Sequence, residues 1–133
     1  MRVLITSDSD ACAQMYAPVA RELLDRGHEV TVGCISVLDS FSVEYTRRGI
    51  PVEPLRPLLQ RGDLDYDISL CHREPLSLLR HNKILTAHVL TMISDEHRHP
   101  AAMYSNVDLM LVGGATHERN LRRAGFTGAV VRT

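Results

Sequence analysis

Short apolar runs alternate along this chain with stretches that have the spacing of one helical face. Residues Val3 to Ile5 form an apolar run that is β-branched at two of its three positions, which suits a strand buried on both faces. A polar turn follows, and Gly27 stands where a helix would end in the left-handed conformation. Between the turn and Gly27, helical spacing joins Tyr16, Val19, Ala20, Leu23 and Leu24. The first 27 residues therefore predict strand, polar turn and helix.

The same rhythm continues to residue 133. Apolar, β-branched segments predict further strands at 29–35, 50–54, 67–71, 83–89, 107–112 and 129–131. Helices are predicted before Gly49, with Phe41 and Tyr45 inward, after Pro75, and after Thr116, with Leu121 inward. The prolines of the 50–54 segment favour an edge strand. The alternation predicts one Rossmann-like α/β domain over residues 1–133: a doubly wound, mostly parallel sheet of six to seven strands in a three-layer α/β/α arrangement.

The composition of the chain narrows the classes of partner that it is expected to bind. The chain has 44% hydrophobic and 23% charged residues and a net charge of −1, which does not favour nucleic acid or an anionic membrane. No apolar run approaches the roughly 18 residues of a membrane span, so we expect no integral membrane segment. The three cysteines have neither disulfide-framework nor CxxC spacing, which favours a reducing compartment. The first strand begins at residue 2, so we expect no signal peptide before it. The expected location is therefore the cytoplasm.

The polar turn after the first strand is the first candidate site. In open α/β sheets, ligands bind beyond the carboxyl ends of the strands, where Ser7, Asp8, Ser9 and Asp10 are expected. Asp8 can act as a general base on a hydroxyl group. The alternative is that Ser9 or Asp10 caps the helix and Asp8 is solvated. The turn contains neither GxGxxG nor a Walker sequence, so a dinucleotide fold or an NTPase is not supported.

Two other strand ends carry polar residues. His72 and Arg73 follow the fourth predicted strand, where the Arg73 guanidinium could hold a phosphate or carboxylate, or the segment could be only a polar loop. Gly113, Gly114 and Thr116 precede the last helix and could offer backbone N–H groups to an anion. The alternative is a tight turn with Thr116 as the cap. We expect these residues to bind substrate.

Metal and cofactor binding receive little support. Asp95, His97 and His99 alternate in a polar segment and could, with His88, ligate a divalent ion. Alternating acids and histidines without a rigid scaffold are a weak signal. We therefore predict no metal site and no cofactor.

Two segments resemble the N-terminal, acceptor-side half of the GT-B glycosyltransferases. Residues 18–24 read Pro-Val-Ala-Arg-Glu-Leu-Leu, similar to the P-x-x-A-x-x-L of that half but with the alanine two residues after the proline instead of three. Residues 26–32 read Arg-Gly-His-Glu-Val-Thr-Val, similar to its R-G-H-E-V. The strand at 107–112 and the helix that ends at Gly125 are similar to its last strand and helix. Two features depart from the family: Ser7 to Asp10 replace its glycine-rich loop, and the C-terminal donor half is absent.

The resemblance implies a bacterial-type transferase half-domain. It implies a small-molecule or lipid-linked acceptor, and a donor-binding domain or subunit that completes a hexosyltransferase-type reaction. Asp8 and His88 would be the catalytic residues. Whether the chain is itself an enzyme stays open. The alternatives are a non-catalytic flavodoxin-like or Rossmann-like module that binds a nucleotide or phosphorylated small molecule, and a domain that binds a partner through the edge after Pro51. A homodimer through an edge strand is also open.

Overall fold

The computed structural model describes residues 1–7, 10–34, 40–61, 65–71, 85–90 and 107–133. At Ala11, Phe41, Leu59 and residues 85–90 it describes the backbone alone. Seven strands and four helices follow one another in these residues. Along the chain these elements are β1 (Arg2–Ser7), α1 (Asp10–Asp25), β2 (Glu29–Cys34), α2 (Ser40–Thr46), β3 (Val52–Pro54), α3 (Leu55–Gln60), β4 (Ile68–Cys71), β5 (Leu85–Leu90), β6 (Leu109–Val112), α4 (Ala115–Arg123) and β7 (Ala129–Arg132).

The strands form one parallel sheet in the order β3-β2-β1-β4-β5-β6-β7. The chain builds outward from β1 to β3, then returns to the other side of β1 and builds outward to β7. This confirms the doubly wound, Rossmann-like prediction, and β3 lies at an edge as its prolines indicated. The order reverses between β1 and β4, which makes the gap between them the topological switch point.

Strand β1 is buried on both faces, as its apolar run predicted. Val3 and Ile5 lie in a cluster with α1, whereas Leu4 packs on the opposite face against Leu55 and Leu58 of α3. Successive side chains of a strand point to opposite faces, so a central strand needs apolar residues at consecutive positions. The two helix layers are thus fixed by alternate residues of a single strand.

The buried face of α1 differs from the predicted one at Val19. That side chain is 42% exposed. The small residues of the first turns lie against the sheet instead, because they allow the helix to approach it closely. The fully buried residues of this helix are Cys12, Ala13, Tyr16, Ala17 and Ala20. Gly27 ends the helix as predicted, with a φ of 80°.

A second cluster lies beneath α4. Leu121 of that helix is fully buried, as predicted, and it lies in a cluster with Met110, Val112, Cys71 and Phe126. On the other side of the molecule, Tyr45 of α2 is buried as predicted, whereas the side chain of Phe41 lies outside the described residues. Among the described helices, none combines the length and the apolar content that a bilayer span requires.

Candidate functional site

Strands β1 and β4 separate before β1 ends. Their pairing stops at Ile5 and Leu70, whereas β1 continues to pair with β2 as far as Ser7 and Cys34. The Thr6 hydroxyl reaches back to the Leu70 carbonyl oxygen over 3.5 Å, which is long for a hydrogen bond. The carboxyl ends of β1 and β4 therefore lie at the switch point, where such sheets bind ligands, and we call the place beyond these two strand ends the crevice.

The Ser7 hydroxyl lies at the carboxyl end of β1. Its side chain is buried, at 1% exposed. Among the described residues, no group forms a hydrogen bond with its Oγ atom. Buried hydroxyl groups nearly always have a partner, because removing one from water without compensation is unfavourable. Ser7 can donate one hydrogen bond and accept others, so it suits a ligand hydroxyl or oxyanion.

The opposite wall of the crevice is fixed by Tyr16. Its hydroxyl donates a buried hydrogen bond of 2.8 Å to the carbonyl oxygen of Cys71, the last residue of β4. Burial also raises the pKa of the Cys71 thiol to about 12, so this cysteine is a neutral packing group and not a nucleophile. Sequence reasoning placed Tyr16 only on the apolar stripe of its helix. The one available signal was that a buried tyrosine needs a partner for its hydroxyl.

Asp10 begins α1 and joins it to α2. The Ser40 hydroxyl donates a hydrogen bond of 2.9 Å to the Asp10 carboxylate, and both residues are exposed. Each is the first residue of its helix. An acidic side chain in a first turn interacts favourably with the helix dipole. The described contact of Asp10 is thus a link between two helix starts beside the ends of β1 and β2.

A separate group of candidates lies after β6. Gly114 is the N-cap of α4, with φ 153° and ψ −177°, and no side chain caps the helix. This corrects the prediction that Thr116 is the cap: Thr116 is the second residue of the helix and is exposed. Glycine reaches the Gly114 conformation at little steric cost, so the turn begins the helix without a hydroxyl cap.

His117 is a residue of this group that sequence reasoning missed. It is buried, and a Cβ atom placed on Gly113 would lie 3.3 Å from its Nδ1 atom. The signal was its position four residues before the buried Leu121, on the same helical stripe. The imidazole ring therefore packs against the glycine turn at the carboxyl end of β6.

The sequence-predicted residues fall into two groups in the structure. Ser7 and Asp10 lie near the end of β1, and Gly113, Gly114 and Thr116 lie after β6. Three strand intervals separate the two groups, which corresponds to roughly 14 Å at the usual spacing. A small ligand such as one hexose would contact only one group, whereas an elongated ligand could reach both.

The remaining predicted residues are not placed in this way. His88 pairs in register with Cys71 and Met110, two residues before the end of β5, so the backbone puts it close to the strand end that was predicted for it. Asp8, Ser9, His72 and Arg73 lie outside the described residues, as do Asp95, His97 and His99. Among the described residues, no group of three potential metal ligands occurs.

Comparison with known proteins shows the fold. No protein-family model matches the chain, and no curated protein sequence matches it. A similar solved structure is that of a protein assigned as a UDP-N-acetylglucosamine 2-epimerase from Listeria monocytogenes, with a TM-score of 0.73 and 11% sequence identity. The match covers 98% of this chain and 44% of that chain, so this chain spans less than half of the neighbour's length. The chain therefore has a Rossmann-like fold.

Proposed function

We propose that this chain is the acceptor-binding half of a GT-B-type sugar-transfer enzyme, or a stand-alone relative of that half. The proposal rests chiefly on one observation: the Ser7 hydroxyl is buried without a described partner where β1 and β4 separate. A hydroxyl in that position is suited to hold a hydroxyl group of a sugar or of a lipid-linked acceptor. The donor would be held by a second domain or subunit.

The structural neighbour supports the same class of ligand. Its name denotes a protein that acts on a UDP-linked sugar, and it is more than twice as long as the part that matches this chain. By analogy, a second half of similar size would complete a site at the carboxyl edge of the sheet. Fold similarity alone does not fix function, so the assignment depends on the residues of the crevice.

The chemistry assigned to the crevice is activation of an acceptor hydroxyl. Asp8, the residue after Ser7, would take the proton of that hydroxyl as a general base. The acceptor oxygen would then bond to the anomeric carbon of the donor sugar while the bond from that carbon to the phosphate oxygen breaks. The nucleotide would leave with the electron pair of that bond. His88, near the end of β5, would act on the acceptor side of the same site.

Calorimetry on three ligand classes tests the proposal: simple sugars and lipid-linked acceptors, UDP-sugars, and free nucleotides. We expect an acceptor to bind, and Ser7→Ala to weaken that binding by about tenfold, which corresponds to about 1.4 kcal/mol. Ser69→Ala is the matched control, because Ser69 is equally buried and also has no described partner, but lies two residues before the end of β4. Equal affinities for the two variants would contradict the assignment of Ser7.

The proposed base needs a separate experiment. In a chain reunited with a donor-binding half, Asp8→Asn should lower the transfer rate while leaving acceptor binding nearly unchanged. Comparison with Asp8→Ser would separate the effect of losing the negative charge, which both variants lose, from that of losing the planar shape of the side chain, which asparagine keeps. A transfer rate that is unaffected by Asp8→Asn would remove Asp8 from the mechanism. The binding role of Ser7 is tested separately, by the calorimetric comparison of Ser7→Ala with Ser69→Ala.

A second function is favoured by the other group of residues. Helix α4 begins at Ala115, directly after Gly113 and Gly114, without a side-chain cap, which leaves its first N–H groups suited to a phosphate. The chain would then be a non-catalytic module that binds a nucleotide or a phosphorylated small molecule. Tight binding of free UDP by the isolated chain, unaffected by Ser7→Ala, would favour this function over acceptor binding.

A further inference from the structure

The two edges of the sheet differ in how well they are protected against pairing with another strand. At one edge, β3 is three residues long, ends at Pro54 and follows Pro51. Proline has no N–H group to donate and is a common guard of edge strands. At the other edge, the sequence of β7 is Ala-Val-Val-Arg, without proline. Proline therefore guards the edge after Pro51 but not the edge at β7, which we call the open edge.

The backbone of β7 presents hydrogen-bonding groups away from the sheet. The N–H of Ala129 donates to the carbonyl oxygen of Asp108 over 3.2 Å, and that of Thr133 donates to Val112 over 2.9 Å. Alternate residues of a strand direct their backbone groups to opposite sides, so Val130 and Arg132 direct theirs outward. Among the described strands, none pairs with this outer side of β7.

The side chains of β7 are apolar up to this edge. Val130 packs against the cluster beneath α4, so Val131 lies on the opposite face of the sheet, where it is 47% exposed. Beside it in register lies Leu111, which is only half-buried although β6 is an interior strand. Leu109 and Ala129 form the next pair on this face. A partly exposed apolar strip thus runs to the open edge.

We propose that two copies of this chain associate through antiparallel pairing of their β7 strands, with Val131 on the two-fold axis. In this register Val130 faces the partner's Arg132, and Arg132 faces the partner's Val130. Both outward-directed residues of each copy then exchange N–H and C=O groups, which gives four hydrogen bonds between the copies. The Val131 side chains meet across the axis, where close apolar pairs stabilise a sheet.

Charge and hydrogen bonding favour this register over the two neighbouring ones. Pairing centred on Arg132 would place two arginines directly opposite each other, which is unfavourable. Pairing centred on Val130 would place Arg132 opposite Gly128, which lies outside β7 and whose carbonyl oxygen already accepts a hydrogen bond of 2.8 Å from Arg122, so the Val130 pair alone would form within the strands. In the proposed register Arg132 keeps its ion pair with Glu118, whose N–O distance is 2.7 Å. The strand is therefore complementary to a second copy of itself.

Sedimentation of the full chain over a concentration series tests the association, which does not depend on the ligand of the crevice. We expect the average mass to rise toward twice that of the monomer. Val131→Lys places like charges on the axis and should keep the chain monomeric throughout. The matched control is Val43→Lys, because Val43 is a 41% exposed valine on α2. Circular dichroism establishes that each variant is folded.

Cross-linking tests the register. Val131→Cys should form a disulfide between copies under mild oxidation, because opposed residues of a non-hydrogen-bonded pair lie within reach of such a bond. Ala129→Cys should not, since it faces the partner's Thr133. A monomeric wild-type chain across the series, or a dimer that Val131→Lys and Val43→Lys weaken equally, would overturn the proposal. Equal cross-linking at both cysteine positions would overturn the register.

Discussion

The Tyr16 hydroxyl donates a 2.8 Å hydrogen bond to the Cys71 carbonyl oxygen, and this bond ties the middle of α1 to the carboxyl end of β4. Strand β4 has already separated from β1 at this point. The phenol hydroxyl therefore supplies a hydrogen bond to β4 beyond the point where its pairing with β1 ends, and it holds one wall of the crevice in place.

Replacing Tyr16 by phenylalanine should lower the free energy of unfolding by about 1–3 kcal/mol, because it takes a hydrogen-bond donor from a buried carbonyl group. Urea denaturation at constant m-value measures the change. Tyr66→Phe is a suitable control, since Tyr66 is half-buried and its ring stays beneath the Arg2 guanidinium at 5.5 Å. If the two substitutions cost the same, the Tyr16 bond has no special contribution.

The buried Cys71 thiol predicts a stability change at alkaline pH. Burial raises its pKa from 9.0 to about 12, so between these values the unfolded chain releases a proton that the folded chain keeps. The unfolded state binds fewer protons in this window, so the stability that the neutral thiol contributes is complete below pH 9 and declines as the pH rises toward 12. The slope from this group is up to about 1.4 kcal/mol per pH unit.

Two variants isolate that slope. Cys71→Ala should remove it, so that the free energy of unfolding of this variant falls less steeply between pH 9 and pH 12 than that of the wild type. Val112→Ala truncates a buried, non-titrating residue of the same cluster and should keep the wild-type slope at a lower overall stability. Parallel pH profiles for the two variants would show that Cys71 does not titrate in this way.

The turn before α4 predicts a cost that comes from the backbone alone. A Cβ atom on Gly114 would meet nothing within 4 Å, but the φ of 153° is unfavourable for any residue with a side chain. Gly114→Ala should therefore lower the free energy of unfolding by about 1–3 kcal/mol in denaturant titrations. Gly113→Ala, which crowds the His117 ring instead, is the comparison. An unchanged stability for Gly114→Ala would contradict the assigned backbone conformation.

The fold was predictable because its signals are local. The consecutive apolar residues of β1 require a strand covered on both faces, and Gly27 ends α1 through its own backbone freedom. The prolines beside β3 excluded it from the centre of the sheet. The choice among helical positions failed at Val19, because small residues at neighbouring positions allowed closer packing than the larger valine would. The predicted cap at Thr116 was also wrong, because the N-cap of α4 is Gly114.

The site was predictable only as a location. That Ser7 would lie at a strand end followed from the strand–turn–helix pattern, but its buried, unpartnered hydroxyl depends on where β1 and β4 separate. The Tyr16–Cys71 bond joins residues 55 positions apart, and the Asp10–Ser40 bond joins residues 30 positions apart. Such contacts follow from the three-dimensional arrangement of elements, which local sequence patterns do not encode.

Ser7 should affect stability and ligand binding with opposite signs. Ser7→Ala removes a buried hydroxyl that has no described partner, so the ligand-free chain should be unchanged or more stable by up to about 1 kcal/mol. Ser69→Ala should stabilise the chain similarly but leave affinity unchanged. Urea denaturation without ligand, followed by calorimetry with the acceptor that binds, measures both effects.

A ligand-free Ser7→Ala chain that is less stable by about 1 kcal/mol would mean that the hydroxyl is already satisfied within the protein. Its loss of affinity would then reflect a disturbed crevice and not a missing ligand contact.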